Sequence, residues 1–358
     1  MRFIAFSTLF VVCCCKLALS DEQSDVVSQP LEYAGNYLVT SVGIGEPPQY
    51  FDLAIDLNSD KLFVLDRSTV NVDIDYGYDY IKNLYLPEAS ETVNMTSNYC
   101  KERYKINYNI QTADGVYAND LITLGGEEFQ RLAHFCDITT SRNVTSIYND
   151  PLNWLFTLPF DGFIGLKPGG ENIYERMTAG IHQITLYIDN TSLLPGSEPD
   201  NAGVITFNGK DDAHCKNYKT FPSADSDKFS TWISKVSFNS NDYNGYYSAA
   251  FSTKNDTFIV PTTVYDDINS YFDSDITYFY CDSYSNPPDL KVTIYGTEYK
   301  IDIKSMIQKT STSSYCKVDI GDGSSDAEND FVFGRAILSS YCLFLDYDEA
   351  LIALADKK

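Results

Sequence analysis

Short apolar runs, separated by turns rich in Gly, Asn, Asp and Pro, follow one another over most of the chain after residue 36. Runs of this kind, with many β-branched and aromatic residues, are typical of β-strands. In residues 37–65, two apolar runs flank a Gly-Glu-Pro-Pro turn, and the second run ends on Asp56 in a polar loop. Helix-like patterns are few and lie at residues 172–179, 263–271 and 303–308. The pattern therefore predicts an all-β chain.

The loop at Asp56 has a related copy in the second half of the chain. Two pairs of segments correspond in the same order, residues 54–64 with 250–260 and residues 161–165 with 330–334. The first pair aligns without a gap and places Ser252 opposite Asp56. Repeats of this kind indicate two related β lobes. A carboxylate at a turn between buried strands is costly unless it is hydrogen-bonded, so Asp56 is either a structural turn residue or a site residue.

These segments resemble the landmark motifs of the pepsin-like aspartic proteases (peptidase A1). The matching segments are residues 44–51, 56–59, 62–64, 104–126, 160–166, 203–209 and 333–355. The resemblance covers nearly everything after residue 36. It implies a bilobal fold in which an N-terminal β lobe, residues 37–193, and a C-terminal β lobe, residues 194–358, flank a substrate cleft.

The family's reaction implies a pair of Asp carboxylates that share one proton, one activating water and the other protonating the scissile carbonyl. Asp56 stands at the first of these positions and Ser252 at the second. A serine hydroxyl cannot take the role of either carboxylate, so we expect Asp56 to be vestigial. The resemblance places six more residues in the cleft and flap: Leu57, Asn58, Ser59, Tyr108, Thr253 and Lys254.

These neighbouring residues also depart from the family's Asp-Thr-Gly loops. Leu57 lacks the hydroxyl of the usual Thr, and Asn58 and Lys254 stand where the family has Gly. One alternative stays open: Asp256 could supply a shifted second carboxylate. It lies closer to Pro261 than the family's spacing requires, and Phe258 would then occupy the Gly position.

Residues 1–20 have the apolar core and small-residue end of a secretory signal peptide. Residues 21–36 form a short polar lead without the basic prosegment that proteases of this family usually carry. We therefore expect a secreted, extracellular protein, with a lysosome or another acidic secretory compartment as the alternative destination.

Nine cysteines are present, three of them within residues 1–20. The remaining six predict three disulfides in an oxidising compartment, and their number alone leaves the pairing open. The family resemblance implies the pairs Cys281–Cys316, Cys215–Cys342 and, bracketing the flap hairpin, Cys100–Cys136.

Fifty acidic residues against 26 basic ones give a net charge of −24, which argues against nucleic acid and anionic membranes as partners. Glycosylation sequons stand at Asn94, Asn143, Asn190 and Asn255. A glycan on Asn255 would occupy the base of the cleft, so either this site is unmodified or the cleft is unused. No metal or cofactor motif is found, and nothing groups the three histidines. We expect a monomer without a cofactor.

Three functions follow from this pattern. The leading one is a catalytically inactive pepsin-like protein that binds a peptide or protein ligand in the interlobe cleft. The second is a weak aspartic endopeptidase active at acidic pH. The third is a pepsin-fold inhibitor of another secreted enzyme.

Overall fold

The structure is a computed structural model, and it describes most of the chain. The described residues are 26–35, 37–69, 82–106, 109–126, 129–143, 158–168, 181–189, 202–253, 258–272, 275–284, 286–309, 314–323 and 329–358. Within them β-strands dominate and helices are few, so the all-β prediction is confirmed. The helix-like pattern at residues 172–179 lies outside the described residues.

The strands of the first half are β1 (Val27–Ala34), β2 (Tyr37–Ile44), β3 (Gln49–Asp56), β4 (Leu62–Leu65), β5 (Asn94–Ile106), β6 (Asn109–Leu124), β7 (Phe129–Asn143), β8 (Gly162–Gly165) and β9 (Gln183–Ile188). The strands from β10 to β16 are β10 (Gly203–Phe207), β11 (Cys215–Pro222), β12 (Ser230–Phe238), β13 (Asn241–Phe251), β14 (Phe258–Val260), β15 (Phe279–Tyr280) and β16 (Leu290–Ile294). The remaining strands are β17 (Thr297–Ile301), β18 (Ile307–Lys309), β19 (Tyr315–Val318), β20 (Ile320–Asp322), β21 (Phe331–Phe333), β22 (Tyr341–Asp346) and β23 (Leu351–Lys357).

The α-helices of the described chain are α1 (Thr262–Tyr271) and α2 (Arg335–Ser340). Short 3₁₀ helices lie at Arg67–Thr69, Pro87–Ala89, Cys281–Tyr284 and Ile303–Met306. Helix α1 agrees with the predicted helical segment 263–271. The segment predicted at 303–308 forms only a 3₁₀ turn, because the chain continues directly into β18.

The described strands form three sheets. A 13-stranded sheet has the order β11-β23-β22-β9-β10-β1-β2-β3-β8-β4-β7-β6-β5, and so runs from the second half of the chain into the first. A seven-stranded sheet, β17-β16-β12-β13-β21-β14-β20, belongs entirely to the second half, as does the three-stranded sheet β15-β19-β18. The bilobal pepsin-like architecture expected from the resemblance is thereby confirmed.

The polar lead contributes a strand that its composition conceals. β1 lies between β10 and β2, so it connects strands of both halves of the chain. Its side chains alternate between buried and exposed, with Val27 and Leu31 in the core. Gln29 is also buried, and its Nε2 donates to Oγ1 of Thr40 at 2.6 Å. Polar residues at interior positions and Pro30 hide this alternation in the sequence.

The ladder registers reproduce the sequence repeat. In the first half β3 runs parallel to β8 with Ala54 opposite Phe163, and in the second half β13 runs parallel to β21 with Ala250 opposite Val332. In the first half β4 then pairs antiparallel with β8 at Phe163, and in the second half β14 pairs antiparallel with β21 at Val332. The gapless alignment of the sequence is therefore a structural equivalence.

In each lobe, an Asp carboxylate beside this unit accepts a hydrogen bond from a backbone N–H of the neighbouring strand. Oδ2 of Asp161 accepts a hydrogen bond from the backbone N of Asp52 at 2.9 Å. Oδ2 of Asp330 accepts one from the backbone N of Ser248 at 2.8 Å. Burial raises the pKa of Asp161, whereas its hydrogen bonds from Asp52 and Asn83 favour the ionised form. The two related aspartates therefore stabilise the strand crossing in each lobe.

The cysteines are paired as the family resemblance implied. The disulfides are Cys100–Cys136, Cys215–Cys342 and Cys281–Cys316. The first connects β5 with β7, the second connects β11 with β22, and the third lies at the small sheet of the second half. Three disulfides are typical of a chain that folds in an oxidising compartment.

Candidate functional site at the lobe junction

Asp56 is the last residue of β3, and its side chain is fully buried. β3 runs parallel to β8 and brings Asp56 opposite Gly165. Oδ1 of Asp56 accepts a hydrogen bond from the backbone N of Asn58 at 2.9 Å. Its backbone oxygen accepts another from the N of Leu166 at 2.8 Å. The carboxylate is thus held in a tight turn, as a buried charged group requires.

Gly165 has no side chain because the loop after Asp56 packs on its backbone. A Cβ at this position would lie 2.4 Å from both the backbone N of Lys61 and the backbone O of Ser59. Non-bonded atoms cannot approach so closely, and both are backbone atoms. The glycine at the end of the apolar motif is therefore needed to position the Asp56 loop.

Ser252 follows β13 at the position equivalent to Asp56 and is also fully buried. Its backbone N donates to the O of Phe333 at 2.9 Å. Nδ2 of Asn58 donates to Oγ of Ser252 at 3.0 Å. Asn58 therefore contacts both positions, through its backbone N at Asp56 and through its side-chain amide at Ser252. The structure brings together the two residues that the sequence repeat predicted to be related.

Thr253 connects the two loops. Its Oγ1 donates to the backbone O of Ile55 at 2.6 Å and accepts from the backbone N of Leu57 at 3.4 Å. The hydroxyl is buried completely. Leu57, the equivalent residue of the first loop, has no hydroxyl to return such a bond and packs in the hydrophobic core instead. Of the equivalent residues Thr253 and Leu57, Thr253 alone therefore has a side chain that bridges the two loops.

Of the remaining predicted residues, the structure describes three and leaves four outside its described part. Ser59 is half-buried beside the Asp56 loop, and its Oγ accepts from the backbone N of Lys61 at 3.1 Å. Asn94 is exposed at the start of β5, and Asn143 is the last residue of β7. Four predicted residues lie outside the described part of the chain: Tyr108, Lys254, Asn190 and Asn255.

Asp256, the alternative second carboxylate, also lies outside the described residues. Phe258, which follows it closely, is fully buried in β14 and stacks on Phe333 with ring centroids 5.7 Å apart. A large aromatic side chain in the core cannot be the open glycine position of a catalytic loop. The equivalence of β4 and β14 moreover pairs Asp256 with Asp60, which lies beyond the Asp56 turn.

Sequence reasoning missed a pair of acidic residues, Asp66 and Asp137. Asp137 lies in β7 opposite Val64 of β4, and Asp66 follows β4, so the two side chains lie on one face. Both are buried. Burial, the negative charge of Asp66 and the hydrogen bond between the two groups together raise the pKa of Asp137 to about 9. An Asp inside an apolar strand pattern, as in the run Phe135-Cys-Asp-Ile138, is the signal that could have identified it.

A pocket of about 490 Å³ lies on the outer face of the second-lobe sheet. Trp232, Ser234, Tyr246, Tyr295 and Gly296 line it. These side chains include no carboxylate, imidazole or amine, so the pocket lacks the acidic groups of an aspartic-protease site.

The described residues contain no cluster of three or more His, Cys, Asp or Glu side chains that could hold a metal ion. None of the helices in that part of the chain combines the length and the apolar character that a membrane span needs.

Comparison with known proteins agrees with this fold. The family model described as "Eukaryotic aspartyl protease" matches residues 36–357. The chain belongs to the eukaryotic aspartyl protease family. Its pepsin-like membership, expected from the sequence motifs, is thereby confirmed.

Several relatives of the family match over almost the whole chain at low identity. Aspartic protease 17 of Caenorhabditis elegans is 22% identical over 364 residues, which cover 93% of this chain and 86% of that protein. Pepsin A of Bos taurus is 22% identical over 356 residues, covering 92% and 87%. Pepsin A of Rhinolophus ferrumequinum is 21% identical over 356 residues, covering 94% and 86%. The similarity therefore extends over both halves of this chain.

Proposed function

We propose that this secreted member of the aspartyl protease family is catalytically inactive and binds a peptide or protein in the cleft between its lobes. The observation that carries the proposal is the environment of Ser252. This residue occupies the position equivalent to Asp56, and its hydroxyl accepts a hydrogen bond from the side-chain amide of Asn58. An amide and a hydroxyl thus lie where the family's reaction requires a second carboxylic group.

The chemistry of the pair explains the expected loss of activity. Two carboxylates that share one proton provide a general base and a general acid at the same site. A serine hydroxyl stays protonated at any pH at which the protein is folded, so it can neither accept the proton of water nor provide a carboxylic proton. Removing one acid–base partner costs about 10²–10⁴-fold in rate. Members of a unit that act together lose more than this when one is removed.

The binding half of the proposal is supported by the order of the junction. Thr253 bridges the two loops, and Asn58 contacts both Asp56 and Ser252. In the proposal, these bonds order the two loops that form the floor of the cleft, without a catalytic pair. A preformed groove of this kind binds a peptide without first paying to order its own loops.

A weak, acid-active endopeptidase is the second candidate. The relatives named above are called aspartic proteases and pepsins, and Asp56 is retained in a buried, hydrogen-bonded turn. In this candidate Asp56 alone would act on a bound water.

The activity test compares the wild-type protein with Ser252→Asp and with Asp56→Asn/Ser252→Asp. Each is incubated with an unfolded protein substrate between about pH 3 and pH 6, with and without pepstatin, a general inhibitor of aspartic proteases. We expect no pepstatin-sensitive cleavage by the wild-type protein. Cleavage by wild-type protein that pepstatin blocks and Asp56→Asn abolishes would refute the proposal.

Ser252→Asp reports whether the missing carboxylate limits the reaction. We expect it to gain cleavage that the double variant lacks, and a further gain when Asn58→Gly is added, because the amide would otherwise compete for the new carboxylate. Circular dichroism of each variant shows whether it is folded. Folded Ser252→Asp and Ser252→Asp/Asn58→Gly variants that both stay inactive would show that position 252 is not what limits the reaction.

Ligand binding is tested with a pooled peptide library on immobilised wild-type protein and on Asn58→Arg. Asn58 is exposed and contacts both Asp56 and Ser252. In the proposed cleft, an arginine at this position would obstruct the bound peptide. The matched control is Ser240→Arg, an exposed turn residue at the far end of β13 from Ser252. We expect peptide capture to fall for Asn58→Arg alone. Equal capture by all three proteins, or capture by none, would contradict the proposed cleft site.

A further inference from the structure

The pair Asp66 and Asp137 lies in the first lobe, at the hairpin that resembles the family's flap. β5 and β6 form this hairpin, and β7 pairs with β6 with Asp137 opposite Val116. The neighbouring residue Cys136 is bonded to Cys100 of β5. Asp137 is thus connected to both strands of the hairpin at its base.

The packing beside Asp137 leaves little room for movement. A Cβ at Gly115 of β6 would lie 2.0 Å from the backbone O of Asp137. The backbone N of Asp66 donates to the O of Ile138 at 2.9 Å, which connects the end of β4 to β7. A change in the side-chain interaction between the two aspartates therefore acts on the β4–β7 contact and on the hairpin together.

Two further ionisable groups, Tyr85 and Asp120, lie near the pair. Tyr85 is fully buried, and burial together with the nearby Asp120, Asp137 and Asp66 raises the pKa of its hydroxyl. That hydroxyl donates to Oδ2 of Asp120 at 2.6 Å. Arg67, next to Asp66 in the chain, is exposed to solvent.

The second lobe supplies an internal comparison. The positions equivalent to Asp66 and Asp137 are Thr262 and Asp322, since Asp322 lies opposite Val260 as Asp137 lies opposite Val64. There Oγ1 of Thr262 donates to Oδ1 of Asp322 at 2.6 Å, at the surface. A hydroxyl satisfies an ionised carboxylate at any pH. Two carboxyl groups can hydrogen-bond to each other only while one of them holds a proton.

We propose that Asp66 and Asp137 form an acid-dependent lock, which holds β4 and the flap hairpin together while the two carboxyls share a proton. Any opening that exposes the pair to water releases that proton above about pH 4, the ordinary range for Asp. Acid therefore favours the closed first lobe, and a rise toward neutral pH favours opening. The lock regulates the cleft of the proposed function, but its existence does not depend on a bound ligand.

The direction and the size of the pH effect on opening follow from proton linkage. The closed state retains a proton that the open state loses, so the opening equilibrium rises by up to about tenfold per pH unit between the two pKa values. The rise begins near pH 4 and ends near pH 9, where Asp137 ionises even in the closed state. Between pH 5 and pH 7 we expect a rise of about 10²-fold at most.

The test measures amide hydrogen exchange of the ligand-free, full-length protein from pH 4.5 to pH 7.5. Rates are corrected for the intrinsic pH dependence of exchange, so that protection factors report opening alone. We expect protection in β6 and β7 to fall by up to about tenfold per pH unit in the wild-type protein. In Asp137→Asn the fall should be much shallower.

Two further variants keep the result interpretable. Asp66→Thr recreates the Thr262–Asp322 pair in the first lobe and should also flatten the profile. Asp322→Asn, at the equivalent position of the second lobe, should leave the β6–β7 profile unchanged. A flat wild-type profile, or a steep one that survives both Asp137→Asn and Asp66→Thr, would overturn the proposal. Because no ligand or substrate is used, that failure would leave the proposed inactivity and peptide binding untouched.

Discussion

Substituting Thr253 tests directly how the Asp56 loop and the Ser252 loop are held together. Thr253→Val replaces the bridging hydroxyl with a methyl group of similar size, so packing is nearly preserved. The substitution removes the 2.6 Å hydrogen bond to the O of Ile55 and the 3.4 Å bond from the N of Leu57. Both lie at a buried junction, where solvent cannot replace them.

The expected cost follows from the two backbone groups that lose this partner. A buried polar group left unsatisfied costs about 1–3 kcal/mol. The short bond to Ile55 should carry most of this, and the long bond from Leu57 should contribute less. We therefore expect Thr253→Val to lower the free energy of unfolding by about 2–4 kcal/mol.

Thr231→Val is the matched control. Thr231 is also fully buried, but its hydroxyl has no hydrogen-bond partner among the described residues. Replacing an unsatisfied buried hydroxyl by a methyl group should change stability by less than about 0.5 kcal/mol or increase it. The two variants share the same chemistry and differ in what the hydroxyl contacts.

The assay is urea unfolding near pH 5, followed by tryptophan fluorescence and by far-ultraviolet circular dichroism. Coincident transitions would justify a two-state free energy, and separate transitions would be assigned to individual lobes. The reasoning fails if Thr253→Val and Thr231→Val differ by less than about 0.5 kcal/mol. In that case the bridge would be geometrically present but energetically irrelevant.

Two further predictions concern the frame around the site, and both are measured by urea unfolding. Gly165→Ala should destabilise the protein by about 1–3 kcal/mol, because its Cβ would be 2.4 Å from backbone atoms of Ser59 and Lys61; Gly245→Ala, whose Cβ would meet only the ring of Tyr247 at 3.1 Å, should cost less. An equal cost at both glycines would contradict the packing argument. Removing Cys215–Cys342, which spans 127 residues, should cost about 1 kcal/mol more than removing Cys281–Cys316, which spans 35. The opposite order would show that loop-closure entropy does not dominate the contribution of these two disulfides to stability.

The fold could be predicted because its determinants recur locally in the sequence. The gapless match of residues 54–64 with 250–260 fixed which residues are equivalent, and the parallel registers of β3 and β13 follow it. A slip of one residue would turn every side chain to the opposite face, so the apolar pattern specifies the register strongly. Strand β1 escaped prediction because Gln29 is buried through a hydrogen bond to Thr40, which no local pattern reveals.

The site could be predicted only in part. The repeat identified Ser252 as the partner position of Asp56, but it did not reveal that Asn58 would contact both. From the sequence, Asn58 is only a residue that stands where the family has Gly. Its second role depends on the approach of two loops far apart in the chain. The same limit explains Asp66 and Asp137, whose proximity depends on the parallel register of β4 and β7.

The forces that maintain the junction are distinct from those that the family's chemistry needs. Thr253 connects the two loops, and the absence of a side chain at Gly165 leaves room for the Asp56 turn. Asp161 and Asp330 each accept a hydrogen bond from a neighbouring strand. None of these contacts requires a second carboxylate at position 252. Two buried carboxyl groups in contact are stable only while they hold a proton between them. A serine that accepts from an amide imposes no such condition. A serine at position 252 therefore avoids a pH-dependent electrostatic cost, and the contacts that connect the two loops do not need an aspartate there.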